Sequence, residues 1–590
     1  MSVARVYRAG SPFNGSELPE VDFEQSADTM YLAHLNHAPT KLVRTAHTAW
    51  TFSSLAFVPS ITAPTGVGVV ATIGNSVVSG DGYFPQSAKY QVTAINDVTG
   101  QESRASASVS ATNDLTLKKN YNTVTWAASV SASRYRIYKA NNTGDFGYIG
   151  TTTDLSFRDD NIGPDYTQGP PQGQSPFAAA GDYPSTVSLF EQRLIWARTS
   201  NNPNAVYASR SGDPENMDTS RPLRDSDAFA FRLVAGRVNA VNQLVPLDSL
   251  LCLTSDSIFK ITGGQDGYIS PSAFNSKRQN GRGGSRLPPL VIDSNAFYQT
   301  SVGNSIRVIG YEFQTDSTQS NDVAIFSPHL FRGFDIISWA YAQEPRSLVW
   351  AVRSDGKLLC FTWEKEQQVW GWTICETDGL VESVCVISES GEDRLYLTVR
   401  RNSRLLIERM ASARFDTIDD ACYLDSAVSY LFDPPATELN NLDHLEGLTI
   451  KALADGNVVS GLVVRGGKVT LPNAAGRVTA GLGFTATIQT LPLTFEGKNG
   501  AILAKPQTAS QAVVRLVNSR GVKIGPRADK LETMRARQNE APGEPHALKT
   551  GLFETYLQAN ISGECSVVVQ SDDPLPMTVT AIAIDPAVSS

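Results

Sequence analysis

Short runs of strand-forming residues follow one another along almost the whole chain, and this pattern restricts the fold more than any other feature. Each run is rich in Val, Ile, Thr, Tyr and Phe and is separated from the next by Gly, Asn, Asp or Pro. Helical periodicity is scarce, and the best helical candidates are residues 26–35 and 529–538. A chain with many strands and little helix is expected to fold as sandwiches, a barrel or a propeller. The sequence therefore predicts an all-β protein.

The length of 590 residues exceeds what one hydrophobic core usually holds. We therefore expect about two to four domains, or one large repeat architecture with insertions. Hydrophobic residues make up 41% and charged residues 18% of the chain, as in folded globular proteins. No apolar run is long enough to cross a membrane, and none follows the basic residues at the start of the chain. We expect neither a secretion signal nor a membrane span.

The formal net charge is −9. This charge argues against a protein that holds nucleic acid by neutralising phosphates, because such proteins carry clustered Lys and Arg. It is compatible with a protein past which DNA slides without binding.

Six cysteines are scattered along the chain without a CxxC pair, and several lie inside apolar runs. This usage favours buried free thiols over disulfides or a zinc site. It also fits assembly in a reducing cytoplasm.

Residues 81–165 form a self-contained segment of alternating strands. Tyr90, Val92 and Ala94 alternate with polar residues, as in a small antiparallel sandwich. The string YRIYK (135–139) followed by GYIG (147–150) resembles the central strands of the fibronectin type III family. The resemblance implies a spacer or docking module and indicates no chemistry. Asp159 and its neighbour Asp160 end the last strand, where a turn is favoured over a catalytic pair of carboxylates.

After a proline-rich connector the chain passes through groups of strands of about 40 residues each. The clearest group spans 347–377, with a tight hairpin at Asp355-Gly356. A second group spans 381–410 and turns at Asn402-Ser403. Serial antiparallel meanders of this kind are typical of a β-propeller, which leaves few open sheet edges.

The sequence predicts five regions. Residues 1–80 supply N-terminal strands to the propeller, 81–165 form the inserted fibronectin type III-like β-sandwich, and 166–425 form the propeller body. Residues 426–510 form an additional C-terminal β domain, with hairpins at Asp455-Gly456 and Gly466-Gly467. Residues 511–590 form a loop-rich segment and closing strands.

Two histidines, His34 and His37, have a spacing that can bind a metal on a helix. No acidic or cysteine partner follows at a matching interval, so we favour histidines that fix a loop by hydrogen bonds. The sequence predicts no metal and no cofactor.

A basic, glycine-rich segment, SKRQNGRGGSR (276–286), is a candidate DNA-channel or inter-subunit loop. Its four charged residues are Lys277, Arg278, Arg282 and Arg286. A solvated loop or a contact between subunits is favoured over phosphate binding. The long segment 519–546, rich in Gly and Pro and mixed in charge, is a second candidate loop. We predict that one of the two points into a channel or across a subunit boundary.

Motifs for known chemistries are lacking in the sequence. Glycine clusters at 263–267 and 281–284 end in no GK[ST], and no GxSxG accompanies the histidines. Many acidic residues stand in turns, and spacing along the chain does not show that any two converge as a glycosidase requires. The sequence-based expectation is that the chain is not an enzyme.

Several strings occur in the order expected for a known family. They are QSADTMYLAH and LVRTAHTAW (25–34 and 42–50), GDYPSTVSLFEQRLIWA (181–197), the block 308–401, and VVQSDDPLPMTVTAI (568–582). Together they resemble the tail nozzle, or tail tubular protein B-like, family of short-tailed bacteriophages. The similarity covers most of the chain, and none of the strings is a catalytic motif.

The resemblance implies a virion structural protein, a homohexameric ring at the distal end of the tail that is assembled in the host cytoplasm. Its implied partners are further copies of itself, the tail adaptor proteins, tail fibres or spikes, and the double-stranded genome passing through the channel during ejection. Six copies at −9 each would carry −54, and a lumen lined with excess carboxylate would repel phosphate. A receptor- or carbohydrate-binding tail protein and a propeller glycosidase or depolymerase remain as alternatives.

Overall fold

The computed structural model describes the chain from residue 7 to residue 588, except 75–82, 142–143, 235–238, 265–266, 313–316, 495, 498–499, 502–505, 535–539, 541–543 and 558–564. Over this described part the protein is all-β, which confirms the sequence-based fold class at this level. The only helical elements described are four single 3-10 turns: Leu18–Glu20, Pro328–Leu330, Ile418–Asp420 and Asp443–Leu445. None of the described helices is long and apolar enough to cross a membrane. Over its described residues the chain divides into two compact units, one that ends at residue 333 and one that begins at residue 334.

The first unit begins with a four-stranded antiparallel meander, in which each strand pairs with the next. Its strands are β1 (Asp22–Ser26), β2 (Thr29–His34), β3 (His37–Ala46) and β4 (Ala49–Ser54). The prediction of a helical turn near residues 26–35 is therefore wrong. Ala27 adopts φ 51° in the turn that returns the chain, and pairing with both neighbours holds β2 as a strand despite its Met, Leu and Ala residues.

A two-sheet β-sandwich follows. Its strands are β5 (Gly68–Thr72), β6 (Gln86–Ile95), β7 (Val109–Asn113), β8 (Tyr121–Thr125), β9 (Arg134–Asn141), β10 (Gly147–Thr152) and β11 (Ser156–Asp159). One sheet has the order β10-β9-β6-β7 and the other β11-β8-β5. Tyr90, Val92, Trp126 and Ile137 lie in their shared core. Strand β5 belongs to the sandwich although the sequence placed it in the N-terminal region, and the fibronectin type III-like assignment stays a prediction.

The rest of the first unit consists of three four-stranded antiparallel sheets and a short ribbon formed by β12 and β16. The first sheet and the ribbon use β12 (Gly169–Gln172), β13 (Thr186–Phe190), β14 (Arg193–Ala197), β15 (Ala205–Ala208), β16 (Thr219–Arg221) and β17 (Phe229–Arg232). The second sheet has β18 (Val241–Pro246), β19 (Leu250–Thr254), β20 (Ile258–Gly263) and β21 (Phe274–Asn280). The third has β22 (Leu290–Ile292), β23 (Asn295–Gln299), β24 (Ile306–Glu312) and β25 (Ser317–Asp322).

These sheets pack in series, each sharing a core with the next one in the order given. Tyr31 of the N-terminal meander packs with Trp196 of the sheet that starts at β13. Ile195 of that sheet shares a second core with Leu244. Leu251 and Tyr298 belong to a third core between the last two sheets. Burial on both faces explains why β14, β19 and β23 are apolar throughout much of their length.

The second unit begins with two further meanders. They comprise β26 (Ile336–Ala342), β27 (Leu348–Arg353), β28 (Leu358–Glu364) and β29 (Val369–Cys375), then β30 (Leu380–Glu389), β31 (Glu392–Arg401) and β32 (Arg404–Arg409). Trp350, Val352, Val381 and Leu395 lie in the core between them. Gly356 (φ 83°) turns the chain between β27 and β28, where the sequence predicts a hairpin.

The remainder of the second unit contains a four-stranded sheet, two larger C-terminal sheets and a short ribbon of two strands. The four-stranded sheet has the order β33-β36-β34-β35 and consists of β33 (Asp425–Leu439), β34 (Thr449–Ala454), β35 (Asn457–Val463) and β36 (Val469–Leu482). The later strands are β37 (Ala486–Gln489), β38 (Glu496–Gly497), β39 (Gly500–Ala501), β40 (Gln507–Ser519), β41 (Lys523–Gly525), β42 (Glu532–Thr533), β43 (Lys549–Tyr556), β44 (Val568–Ser571) and β45 (Thr578–Val588). The two larger C-terminal sheets have the orders β37-β44-β41-β42 and β43-β40-β45, and β38 and β39 form the ribbon.

The predicted helix over 529–538 contains the short strand β42, and its residues from 535 onward lie outside the described part of the chain. Val514 of β40 and Val569 of β44 lie in one core shared by the two C-terminal sheets. All six cysteines are free. Cys252, Cys360 and Cys565 are buried, whereas Cys385 is exposed.

Candidate functional site at the strand starts

Three sheets of the first unit begin with β1, β13 and β18, and the N-terminal ends of these strands carry polar residues that line one cleft. Asp22 begins β1 and Thr186 begins β13, and these two strands contact each other. Strand β13 also contacts β18, whose second residue is Asn242. A small cleft of about 30 Å³ opens here, which is room for a water molecule or an ion. The polar residues that line it include Glu20, Asp22, Arg198, Gln243 and Arg286.

Asp22 is the most deeply buried acid of the cleft, with 7% of its surface exposed. Its Oδ2 accepts a hydrogen bond from the Val187 amide at 3.1 Å, and its Oδ1 accepts one from the Phe23 amide at 3.0 Å. Burial nevertheless raises the pKa of Asp22 to about 6, because desolvation of the carboxylate outweighs these hydrogen bonds. The carboxyl group therefore changes its charge close to neutral pH.

Side-chain amides of β18 hold the following segment against the cleft. Asn242 Nδ2 donates to the carbonyl of Gly284 at 2.8 Å, and Gln243 Nε2 donates to the carbonyl of Arg286 at 2.8 Å. Arg198 donates to Asn242 Oδ1 at 2.7 Å. With its backbone fixed in this way, Arg286 places Nη1 3.4 Å from Glu20 Oε1. The ion pair joins Arg286, one of the four basic residues singled out in the sequence, to the acidic side of the cleft.

Next to Glu20 lie two histidines. His34 and His37 are directly paired across the two-residue turn between β2 and β3. Directly opposite residues of an antiparallel pair project to the same face, and the two ring centroids lie 5.1 Å apart. The ring of Phe13 packs edge-on against His37, with 5.0 Å between centroids.

Two carboxylates approach these histidines from the 3-10 turn Leu18–Glu20. Glu17 caps this turn, and residues three apart in a 3-10 helix eclipse one another. Glu17 and Glu20 consequently face the same way. Glu17 Oε2 lies 3.1 Å from His37 Nε2, and Glu20 Oε2 lies 3.9 Å from His34 Nε2. One ligand atom from each of Glu17, His34 and His37 falls within 4.8 Å of the others.

The environment favours a neutral His34 and an ionised Glu17. His34 is 2% exposed, and burial together with the neighbouring His37 lowers its pKa. Hydrogen bonds from the Asn14 amide and from His37 lower the pKa of Glu17. The Nε2 atom of His34 is buried and has no hydrogen-bond partner within the described part of the chain.

The sequence shows no acidic residue at a matching interval from the histidines. The structure corrects this interpretation, because it places Glu17 beside both of them. Glu17 approaches from the cap of the 3-10 turn Leu18–Glu20, a separate element from the strands that carry the histidines, so no fixed interval along the chain relates it to them. Two spacings in the sequence point to this site. ExxE places Glu17 and Glu20 on one side of a turn, and HxxH does the same for His34 and His37.

The candidate loop 276–286 is a loop only in its second half, which corrects the prediction for Lys277 and Arg278. Both residues lie on β21, an edge strand whose only partner in the sheet is β20. Lys277 stands opposite Lys260, and Arg278 lies 3.7 Å from Asp256. Pairing with β20 extends the strand to Asn280, and charged residues on an edge strand discourage unwanted sheet pairing.

Arg282 and Arg286 follow the strand, and their glycine neighbours have a packing role. Both arginines are exposed, and the Arg282 amide donates to Asn280 Oδ1 at 3.0 Å. A Cβ at Gly283 would lie 2.3 Å from the backbone of Ser255. Only glycine fits this close approach, so the glycine-rich sequence reflects packing against the β19–β20 turn rather than a phosphate cradle. Whether the segment faces a channel or another subunit stays a prediction.

The second candidate loop, 519–546, is anchored at its start. Arg520 is buried and donates to the carbonyl of Gly456 at 2.6 Å and to the carbonyl of His546. Residues 535–539 and 541–543 of this segment lie outside the described part of the chain. Whether segment 519–546 points into a channel or across a subunit boundary stays a prediction, as it does for segment 276–286.

No family model and no curated protein matches the chain. Among solved structures it is similar to a periplasmic gluconolactonase of Pseudomonas aeruginosa, with 12% identity, a TM-score of 0.26, and coverage of 55% of this chain and 99% of that one. A putative 6-phosphogluconolactonase from Bacteroides uniformis matches with 11% identity, a TM-score of 0.24, and coverage of 55% and 95%. A luciferin-regenerating enzyme matches with 8% identity, a TM-score of 0.22, and coverage of 49% and 88%.

All three similar structures are described as enzymes, so the sequence-based expectation that the chain is not an enzyme is corrected. The exclusion of an active site is therefore withdrawn. TM-scores of 0.22 to 0.26 are too low to transfer a fold, an activity or a substrate to this chain.

Proposed function

We propose that the chain is a subunit of the tail nozzle of a short-tailed bacteriophage, a ring that retains packaged DNA and conducts it during ejection. The ordered strings that resemble the nozzle family carry this proposal. The serial sheets support it, because antiparallel sheets that share a core with each neighbour form a stiff, continuous wall. Closure of such sheets into a β-propeller is part of the proposal.

The remaining regions have roles that fit this assembly. The sandwich formed by β5–β11 projects as a spacer or docking module, and the C-terminal sheets form a platform for fibres or spikes. The partners in this proposal are further copies of the chain, the adaptor proteins above the ring, and the genome. The net charge of −9 supports passage of DNA without binding, since excess carboxylate repels phosphate.

The decisive experiment locates the chain on the virion. Antibody fragments raised against the sandwich are added to purified virions, which are then imaged by negative-stain electron microscopy. The expected result is label at the distal end of the tail. The labelled ring is expected to contain about six copies of the 63.7 kDa chain. Label elsewhere, or absence of the chain from purified virions, contradicts the proposal. Fragments saturated with free antigen serve as the control.

A second experiment tests the basic segment. Phage carrying Arg282→Glu and Arg286→Glu together are expected to lose DNA retention or ring assembly, because two positive charges at a channel or subunit boundary become negative. Arg158→Glu is the matched control, since Arg158 lies on the sandwich and is 55% exposed. If the double variant retains DNA and assembles rings to the same extent as the control, the segment does not lie at the proposed channel or subunit boundary.

A further inference from the structure

The histidine pair and Glu17 form a set of donors that the proposed function does not use. Two imidazoles and one carboxylate are the donor set of many zinc sites with three protein ligands. Imidazole nitrogen also favours zinc, copper, nickel and cobalt over magnesium and calcium, which prefer oxygen donors alone. We propose that Glu17, His34 and His37 bind one divalent transition-metal ion of the zinc class, with a fourth coordination position open to water.

The geometry is close to that of a bound site. Metal–ligand bonds of about 2.0–2.1 Å in a tetrahedral site place ligand atoms roughly 3.4 Å apart. Glu17 Oε2 and His37 Nε2 are already 3.1 Å apart, and all three ligand atoms lie within 4.8 Å. Glu17 and His37 are partly exposed, with 21% and 26% of their side chains accessible, so their side chains can adjust toward a metal more readily than that of the buried His34.

The second observation is the state of His34. Its Nε2 is buried and has no hydrogen-bond partner, although buried polar atoms normally have one. Glu20 Oε2, at 3.9 Å, is beyond hydrogen-bond distance. A metal ion at Nε2 would satisfy this atom and explain why a polar ring is buried at the end of a hairpin.

Binding has a defined consequence for the other ring nitrogen. The Asn36 amide donates to Nδ1 of His34 at 3.2 Å, so the neutral ring carries its proton on Nε2. Metal coordination at Nε2 requires that proton to move to Nδ1. The long hydrogen bond from Asn36 is then exchanged for a metal–nitrogen bond, and the turn between β2 and β3 must adjust.

Charges around the cluster suit a dication. Glu17 contributes one negative charge, and the two neutral imidazoles contribute none. Glu20 Oε2 lies 3.9 Å from His34 Nε2 and is not one of the three grouped ligands. Its negative charge is offset by Arg286, 3.4 Å away, so Glu17 supplies the net negative charge at the site. The bound ion would connect the segment containing Phe13 and Glu17 to the β2–β3 hairpin.

The test uses the full chain, stripped with a chelator and then returned to chelator-free buffer. Zinc is added, unbound metal is removed by gel filtration, and metal content is measured by mass spectrometry. One zinc per chain is expected, and cobalt(II) in its place is expected to give the visible absorption of a four-coordinate site. Binding should weaken below about pH 6, where histidine ligands compete with protons.

Glu17→Gln and His37→Gln supply the discriminating variants, since both side chains are partly exposed and their replacement leaves the buried His34 in place. Each variant is expected to bind zinc more than about tenfold more weakly, because loss of even an outer partner of a metal ligand has that effect. His47→Gln is the matched control, an exposed histidine at the other end of β3. Circular dichroism checks that each variant remains folded. Less than stoichiometric zinc in the parent chain, or equal zinc binding in Glu17→Gln, His37→Gln and His47→Gln, would overturn the proposal.

Discussion

Two regions of the first unit bury ionisable groups in different ways. In the sandwich, the buried carboxylate of Asp159 lies 2.7 Å from Lys139 Nζ and accepts hydrogen bonds from the Tyr90 hydroxyl at 2.6 Å and the Ile162 amide at 2.8 Å. In the N-terminal meander, His34 is about as deeply buried, but its Nε2 lacks a hydrogen-bond partner. An unpaired buried polar atom costs about 1–3 kcal/mol. Asp159, Lys139 and Tyr90 thus form a complete network in which each of the three polar groups is paired, whereas Nε2 of His34 lacks a hydrogen-bond partner among the described residues.

Asp159→Ala is expected to have the largest effect on the complete network. The substitution leaves Lys139, which is 3% exposed, without its counter-ion. Removing one partner of a buried pair costs about 3–5 kcal/mol in the free energy of unfolding. Hydrogen exchange of peptides from β6 and β9 measures the loss of local stability.

Asp160→Ala is the control for that variant. Asp160 pairs with Arg158, and both side chains are more than half exposed, so the loss should stay below about 1 kcal/mol. Equal effects of the two substitutions would mean that burial of Asp159 does not govern the stability of the sandwich.

The next largest effect is the pH dependence of the free energy of unfolding that Asp22 gives the N-terminal meander. Burial raises the pKa of Asp22 from 3.8 to about 6. Between these values the folded state holds a proton that the unfolded state has released, so stability falls as pH rises through this window. The full change is at most about 3 kcal/mol, from about 1.4 kcal/mol per pKa unit. Asp22→Asn should flatten the pH dependence of the free energy of unfolding between pH 4 and pH 7, as measured by urea titration. An unchanged slope would show that Asp22 does not titrate in this range.

Tyr90→Phe sharpens the comparison by removing one member of the complete network. The Tyr90 hydroxyl donates to Asp159 and accepts from Asn122 Nδ2 at 2.9 Å, and Asn122 is fully buried. We expect a loss of about 1–3 kcal/mol in the free energy of unfolding. Tyr148→Phe in the same sandwich removes only an exposed hydrogen bond to Thr151 and should cost less. A larger loss for Tyr148→Phe would contradict the assignment of Tyr90 to the network.

Arg286→Ala should have the smallest effect. Arg286 and Glu20 are about half exposed, 48% and 54%, and exposed ion pairs contribute about 0–1 kcal/mol. The loss in unfolding free energy, measured by urea titration, should also shrink at high salt because salt screens exposed charges. A loss that is larger and independent of salt would assign Arg286 a packing role beyond the ion pair.

Local signals in the sequence were reliable where the turn chemistry is strict. Asp455 and Gly456 adopt φ 44° and 72°, and Gly466 and Gly467 adopt φ 62° and 68°. These left-handed values are what a two-residue hairpin turn requires, and Asp, Asn and Gly tolerate them. Alternation also placed Tyr90, Val92 and Ala94 in a buried core. Such features depend on neighbours in the chain, so they can be predicted from the sequence.

Features that depend on distant contacts were missed. Pairing with β20 places residues 276–280, the first half of the predicted loop 276–286, in strand β21. Residues 26–35 have helix-forming composition but pair with strands on both sides. The approach of Glu17 to His34 and His37 requires the chain to fold back from a separate turn, and no local periodicity encodes that distance.

The serial packing of sheets has a consequence for synthesis on the ribosome. A sheet that shares its core with the next one can begin to pack as soon as that neighbour emerges, because the contacts span few residues. The meander β1–β4 is an exception, since its partner begins at β13 and the whole sandwich is made in between. Until residue 197 has been translated, Tyr31 and Ala33 have no Trp196 to cover them. The N-terminal sheet is therefore the sheet of the first unit that waits longest during synthesis for the residues that complete its core.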